Sequence, residues 1–395
     1  MTTVYRFSDC ELDLGQFELR RDGSVVHVEP QVLEVLAYLI SHHDRLVTRE
    51  ELLDAVWGDR FVSASAVASR LMQARRAVGD TGGRQALIST VHGRGYRFVA
   101  PVATGERPES AYDGARRPEV RYCVAGDGTA VAYALAGRGR PLVQAAHWLT
   151  HLEHDWDSPI WGHWLHELSR GHLLVRYDER GCGLSDWDVP DFSFDAWVDD
   201  LELVVDAAGI EAPFPVLGLS QGGAVAIAYA VRHPERVSRL ILVGAYAAGR
   251  LVRAATPEAR QEALLDLELG RVAWRREDDS FRQVFASQFL PDASRELWDA
   301  FNRLQRTTTS TDNVVRFLDV FARIDVRDKL GMVSCPTLVV HARDDLRVPG
   351  LQARELAARI PDARLLLLAS RNHILTAEEP AWHTFLAEAT AFLAG

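Results

Sequence analysis

The chain has 395 residues, 47% apolar and 25% charged, an ordinary globular mixture that excludes disorder, collagen and coiled coil as overall descriptions. Its formal net charge of −11, taken whole, speaks against a nucleic-acid partner. No run of about 18 apolar residues exists and the N-terminal MTTVYRFSDCELDLG is polar and acidic, so neither a membrane span nor a secretory leader is expected.

The first hundred residues read as strands, then helices, then a hairpin. Tyr5–Phe7, Glu11–Leu14, Phe17–Arg20 and Val25–Val28 are alternating or β-rich, with a turn at Arg21-Asp22-Gly23. From Pro30, Val32, Leu33, Val35, Leu36, Leu39 and Ile40 recur at helical spacing. Thr48-Arg-Glu-Glu51 is a capping box that opens a second helix through Trp57. Ser63 or Ser65 can cap a third helix running to Val78 and closed by Gly79. Ile88–Val91 and Tyr96–Val99 flank the loop His92-Gly-Arg-Gly95. The segment 105–120 lacks any hydrophobic period and reads as a linker between a domain at 1–104 and one at 121–395. In the second, the β runs Leu142–Ala146, Leu173–Tyr177, Val216–Leu219, Leu240–Val243, Thr337–His341 and Arg364–Leu368 alternate with helical patterns, which implies a mostly parallel sheet. Helical segments at about 250–325 interrupt that alternation and read as a lid. The four scattered cysteines, Cys10, Cys123, Cys182 and Cys335, contain no CxxC pair and fit a reducing, cytoplasmic setting.

The charge is unevenly placed. Residues 1–104 hold 12 Arg against 13 Asp and Glu, net −1, and the remainder holds 32 basic against 42 acidic residues, net −10. From Arg60 to Arg97 stand seven Arg and one acid, Asp80, net +6. A basic third helix followed by a hairpin is the arrangement of a winged helix-turn-helix, whose third helix enters the major groove of double-stranded DNA while the wing reaches phosphate or minor groove. On a helix starting near Ser65, Val67, Leu71, Ala74 and Val78 share an apolar face, whereas Ser69, Arg70, Gln73 and Arg76 project elsewhere. Arg and Gln carry the paired donors and acceptors that read guanine and adenine edges. Arg94 and Arg97 lie on the wing. The bland reading of such a run is a solvated helix face, and the strand–helix–hairpin order favours DNA over it.

The segments Thr48-Arg-Glu-Glu-Leu-Leu-Asp-Ala-Val-Trp57 and Thr90-Val-His-Gly-Arg-Gly-Tyr-Arg-Phe98 resemble the C-terminal DNA-binding domain of OmpR/PhoB-type response regulators. The resemblance implies a recognition helix at about Ser65–Val78. Such proteins usually carry a receiver domain ahead of the DNA reader, so here the input signal is expected from the C-terminal side.

Gly218-Leu-Ser220-Gln-Gly222 matches the nucleophile elbow G-x-S-x-G, between a β run and an Ala-rich helix, where a serine needs flanking glycines to sit on a tight strand-to-helix turn. In that position the Gln221 N–H faces a developing oxyanion. The fold requires acid and histidine to follow in the order Ser…Asp…His. His341-Ala-Arg-Asp-Asp345 supplies two carboxylates and Arg371-Asn-His373 one histidine. These segments resemble the acid and histidine loops of α/β-hydrolases, and that family's spacing, with Pro349 four residues after the acid, selects Asp345 over Asp344, which would pair with Arg343 or Arg347. Tyr177-Asp-Glu-Arg-Gly-Cys-Gly-Leu-Ser185 resembles the family's D-x-R-G-x-G-x-S loop, mostly structural. Ala146-His147-Trp148-Leu149 lies where its HG-x oxyanion segment belongs, with Trp148 in place of the glycine; alignment gives the second donor as the Leu149 N–H, with Trp148 as the other choice.

His147, His151, His154 and Asp155 have a spacing that could hold a metal, but they read as a loop lining the site, so no metal and no cofactor are expected. Trp148, Trp156, Trp161 and Trp164 read as core and pocket wall. The fold class is therefore multi-domain α/β: a winged-helix domain with small antiparallel sheets, then an α/β-hydrolase fold with a helical lid. The function expected is a one-component DNA-binding regulator whose hydrolase half senses a small acyl compound and hydrolyses an ester, lactone or relative. The alternative is an esterase that the winged helix only localises or assembles. A homodimer is compatible with the sequence.

Overall fold

In a computed structural model, the structure describes residues 3–13, 18–21, 24–26, 28, 30–57, 64–91, 93–106, 117–276 and 280–394. The chain divides into two compact units, Met1–Asp113 and Gly114–Gly395, and among the described residues no helix is long and apolar enough to cross a membrane. The expectations at Leu14, Phe17, Asp22–Gly23, Ser63 and His92 lie outside the described residues.

The first unit opens with β1 (Thr3–Phe7), β2 (Cys10–Asp13), β3 (Glu18–Arg21) and β4 (Ser24–Val26), continues through α1 (Pro30–Ser41), α2 (Arg49–Trp57) and α3 (Ala64–Ala77), and ends in β5 (Ile88–Val91), β6 (Gly95–Phe98) and β7 (Ala103–Glu106). The antiparallel order β4-β3-β2-β1-β7 makes one sheet and β5-β6 the other. The predicted apolar positions of α1 form the core: Val35, Leu36, Leu39 and Ile40 are all fully buried. The capping box closes as read, Glu51 N–H donating to Thr48 Oγ1 at 3.1 Å and Thr48 N–H to Glu51 Oε2 at 3.4 Å. α3 begins at Ala64, so Ser65 sits inside the helix rather than capping it. Gly95, at φ +143°, lets β6 dock against the entry to α2, where a Cβ would come within 2.1 Å of the Val47 carbonyl oxygen. Reciprocal hydrogen bonds of 2.9 Å between Val47 and Tyr96 hold that junction.

Of the segment read as a linker at 105–120, residues 107–116 lie outside the described residues. Its start belongs to β7, which pairs with the free edge of β1, and its end to β8 (Glu119–Val124). Backbone pairing, rather than any side-chain pattern in Ala-Thr-Gly-Glu, makes β7 a strand.

The second unit continues with β9 (Ala130–Gly137), β10 (Arg140–Ala145), α4 (Gly162–Gly171), β11 (His172–Tyr177), α5 (Phe194–Ala207), β12 (Phe214–Leu219), α6 (Gln221–Arg232) and β13 (Val237–Val243). Four helices interrupt the alternation, α7 (Pro257–Arg275), α8 (Ser280–Phe289), α9 (Arg295–Thr308) and α10 (Thr311–Arg323), before β14 (Thr337–Ala342), α11 (Gly350–Arg359), β15 (Ala363–Leu368) and α12 (Pro380–Ala394). The eight-stranded sheet runs β15-β14-β13-β12-β10-β11-β9-β8, parallel from β15 to β11 and closed by the antiparallel β9 and β8. α5, α7, α9 and α10 start where a side chain caps them: Ser193, Thr256, Ser294 and Ser310 each accept from the N–H three residues on. The parallel strands are apolar on both faces, as a sheet covered on both sides requires, and β14 is buried along its whole length.

Candidate active site and nucleic-acid interface

Ser220 is the single residue between β12 and α6, at φ +51° and ψ −122°, a conformation that costs a side-chain-bearing residue about 1–3 kcal/mol. Its N–H donates to the Val243 carbonyl oxygen at 2.9 Å. The elbow has no room for side chains: a Cβ on Gly218 would lie 2.6 Å from Gly223 Cα, and one on Gly222 would lie 2.4 Å from the Ala146 carbonyl oxygen. As the first residue of α6, Gln221 has an N–H with no intrahelical acceptor, at the positive end of the helix dipole.

His373 Nε2 stands 3.0 Å from Ser220 Oγ, and its Nδ1 stands 2.7 Å from Asp345 Oδ2. The other oxygen of Asp345 accepts from the Arg347 N–H at 2.7 Å and the Val348 N–H at 2.9 Å. Burial alone would raise the Asp345 carboxyl; the His373 ring, the Val348 N–H and the nearby His341 hold it below the usual carboxylate value instead. Asp344 is exposed, and Arg347 pairs with Asp266 at 3.1 Å rather than with Asp344. The histidine loop is fastened to the lid, His373 N–H donating to the Phe289 carbonyl oxygen at the end of α8 at 2.8 Å. Trp148 and Gln221 line a cleft with Ser220, and Leu149, buried at φ +49°, follows Trp148 in the same turn. His147 lines an adjoining pocket with Trp161 and His373; burial, with the Arg176 charge adding to it, pushes its ring down to about 3.

In the first unit Val67, Leu71, Ala74 and Val78 are buried, as their spacing predicts, and Arg76 is exposed beside Met72. Ser69, Arg70 and Gln73 are half-buried, and Arg70 donates to Gln73 Oε1 at 2.9 Å. Arg94 and Arg97 are exposed on the wing. Arg75 turns inward: Nε and Nη2 each reach the Ile88 carbonyl oxygen at 3.0 Å and Nη2 reaches Thr90 Oγ1 at 2.7 Å, tying α3 to the wing. Asp80 closes the turn before β5 by accepting N–H bonds from Thr81, Ala86, Leu87 and Ile88 at 2.8–3.0 Å.

Residues 152–380 match the sequence model described as the alpha/beta hydrolase fold. The chain belongs to the α/β-hydrolase fold family. In this α/β-hydrolase, residues 23–98 also match the model described as transcriptional regulatory protein, C terminal, so its first unit is an OmpR/PhoB-type DNA-binding domain. The chain is 28% identical over 271 residues to a non-heme haloperoxidase of Rhodococcus erythropolis, covering 64% of this chain and 92% of that one. It is 27% identical over 255 residues to a pyrrolizixenacetamide deacetylase of Xenorhabdus hominickii, covering 63% and 90%. Among solved structures, a hydrolase of Pseudomonas aeruginosa PA01 superposes with a TM-score of 0.57 at 25% identity, covering 70% of this chain and 98% of that one.

The D-x-R-G-x-G-x-S loop is tied inward: Arg180 grips Asp200 through two bonds of 2.7 Å, and Ser185 Oγ donates to the Asp178 carbonyl oxygen at 2.6 Å. Asp155 pairs with Arg176 at 2.6 Å and His151 packs on His154 at 3.9 Å; among the described residues no group of three or more His, Cys, Asp or Glu is placed to hold a metal. Trp156 and Trp164 are core, while Trp148 and Trp161 wall the clefts. Sequence reasoning missed three arginines in the cleft beside Ser220, namely Arg250, Arg253 and Arg347. Nothing local marks them, because Arg347 and Asp266, which meet there, are 81 positions apart.

Proposed function

We propose that the second unit is a serine hydrolase of esters, lactones or related acyl compounds, with Ser220 as nucleophile, His373 as general base and acid, and Asp345 as its orienting carboxylate. The observation that carries this reading is the continuous relay Ser220–His373–Asp345, at 3.0 and 2.7 Å, on a strained elbow. His373 Nε2 takes the Ser220 proton as Oγ attacks the acyl carbon, and Asp345 holds the Nδ1–H tautomer and stabilises the imidazolium. The Gln221 N–H would receive the oxyanion together with a second donor from the turn after β10, the Leu149 N–H by alignment, with that of Trp148 as the other choice. His373 then protonates the leaving group, and a water activated by the same ring cleaves the acyl-enzyme.

Joined to a DNA-binding domain, this site makes the chain a one-component regulator. Its effector is the acyl compound or product held in the cleft, and it acts only by binding two states of the protein unequally. Arg76, Gln73, Ser69 and Arg70 on α3, with Arg94 and Arg97 on the wing, are assigned to double-stranded DNA. A labelled fluorophosphonate should modify the wild-type chain and not Ser220→Ala; no labelling of wild type overturns the hydrolase reading. Selection of duplexes from a random pool by the full chain tests the regulator reading, which fails if no sequence is enriched.

A further inference from the structure

The cleft beside Ser220 is lined by Arg250, Arg253 and Arg347 against a single acid, Asp266, a surplus of two positive charges among the lining residues. Asp266 is shared, at 3.1 Å from both Arg250 and Arg347. Arg347 is held rigid: Gln288 Oε1 accepts from it at 2.9 Å, and its guanidinium lies 4.9 and 5.1 Å from the Phe285 and Phe289 ring centres. Arg253 has only the Ala248 carbonyl oxygen, at 3.1 Å, and the Tyr246 ring, 5.9 Å away; among the described residues it has no ion-pair partner. Burial, reinforced by the neighbouring Arg347 charge, pushes Arg250 down to about 10, and burial lowers Arg253 as well; a guanidinium in a protein keeps its proton. Burying positive charge without a counter-ion is costly, and here one carboxylate is shared by two guanidinium groups while the third has no ion pair among the described residues.

We propose that Arg250, Arg253 and Arg347 form a subsite for a carboxylate carried by the compound that enters the cleft, so that the hydrolase acts on an acyl compound bearing a free carboxylate at one end. The planar forks fit a carboxylate in two-point contact, and a monoanion neutralises half of the surplus charge. The substrate assignment rests on the hydrolase reading of Ser220, whereas the anion subsite itself does not.

The test is calorimetric titration of the full-length Ser220→Ala chain with glutarate, dimethyl glutarate and inorganic phosphate. Glutarate should bind, with at least tenfold preference over the diester. Arg253→Gln in the same background should raise the glutarate Kd at least tenfold, with Arg253→Lys falling between. Asp266→Asn removes the competing acid and should tighten glutarate, an effect opposite in sign to that of a destabilised fold. In the enzyme with Ser220 intact, kcat/KM for mono-p-nitrophenyl glutarate should exceed that for p-nitrophenyl butyrate, and Arg253→Gln should collapse that ratio. Absent glutarate binding with normal fluorophosphonate labelling overturns the subsite and leaves the hydrolase reading standing. Glutarate binding without labelling does the reverse. Phosphate binding more tightly than glutarate overturns the carboxylate assignment.

Discussion

Replacing Asp345 with Asn tests the relay most directly, because the surroundings dictate how the amide must turn. Oδ1 accepts from two backbone donors, Arg347 N–H at 2.7 Å and Val348 N–H at 2.9 Å. An Asn must present its carbonyl oxygen to them, since its NH2 would otherwise face two further donors. The NH2 is thereby aimed at His373 Nδ1, now 2.7 Å from a carboxylate oxygen. That nitrogen must then accept, so the ring proton moves to Nε2 and points at Ser220, where no base remains. A wrong-tautomer histidine of this kind costs about 10³–10⁴ in rate, or about 4–5.5 kcal/mol of barrier. The assay is the second-order rate of inactivation by a fluorophosphonate, measured for wild type, Asp345→Asn and Asp344→Asn. Asp344 is exposed, and its variant should fall within a factor of about three of wild type. If Asp345→Asn reacts within tenfold of wild type, the tautomer argument and the choice of acid are both wrong.

Other perturbations separate the two units. Gly222→Ala drives a methyl to 2.4 Å from the Ala146 carbonyl oxygen, so it should destabilise by about 1–3 kcal/mol in thermal unfolding and lower fluorophosphonate reactivity as the elbow shifts. Arg76→Ala and Arg94→Ala should each weaken binding to a selected duplex and reduce the salt slope by about one, whereas Arg75→Ala should show loosened wing amides in hydrogen exchange, since its guanidinium is engaged with Ile88 and Thr90. Asp80→Ala removes the acceptor of four N–H groups and should cost the first unit about 2–3 kcal/mol, read as faster exchange at Thr81 and Ala86–Ile88. Burial alone would raise the Asp80 carboxyl, but the N–H donors from Ile88, Leu87, Ala86 and Thr81 hold it below its ordinary 3.8. A depressed value means the stabilisation is complete above pH 3.8 and fades as pH falls through the lower folded value, so wild type should lose stability in acid there and Asp80→Ala should not.

What could be read from the residues was what is encoded locally or by obligatory order. G-x-S-x-G is forced by the lack of space around Ser220, and the acid and base follow it because the parallel sheet delivers them at the ends of β14 and β15. The buried face of α3 and the inward turn of the α1 apolar residues come from periodicity alone. Illegible were features made by distant segments meeting. The arginine cleft joins the stretch after β13, the middle of α7 and the acid loop. β7 is a strand because β1 has a free edge, and Arg75 lies on a basic helix in sequence yet spends its donors on the wing. Which N–H of the turn after β10 faces Ser220 is a matter of backbone direction that the motif, lacking its glycine, does not carry.

The hydrogen bond from His373 N–H to the Phe289 carbonyl oxygen, 2.8 Å long, joins the proposed general base to the last turn of α8, the same helix whose Phe285 and Phe289 rings flank Arg347. Whatever settles α8 over an occupant of the cleft therefore sets the height and tilt of the imidazole over Ser220 in the same movement. On the proposed mechanism, filling the cleft and aligning the base are then one equilibrium. A compound that fits poorly would be met by a misaligned base, so selectivity in this hydrolase should register in kcat as much as in KM.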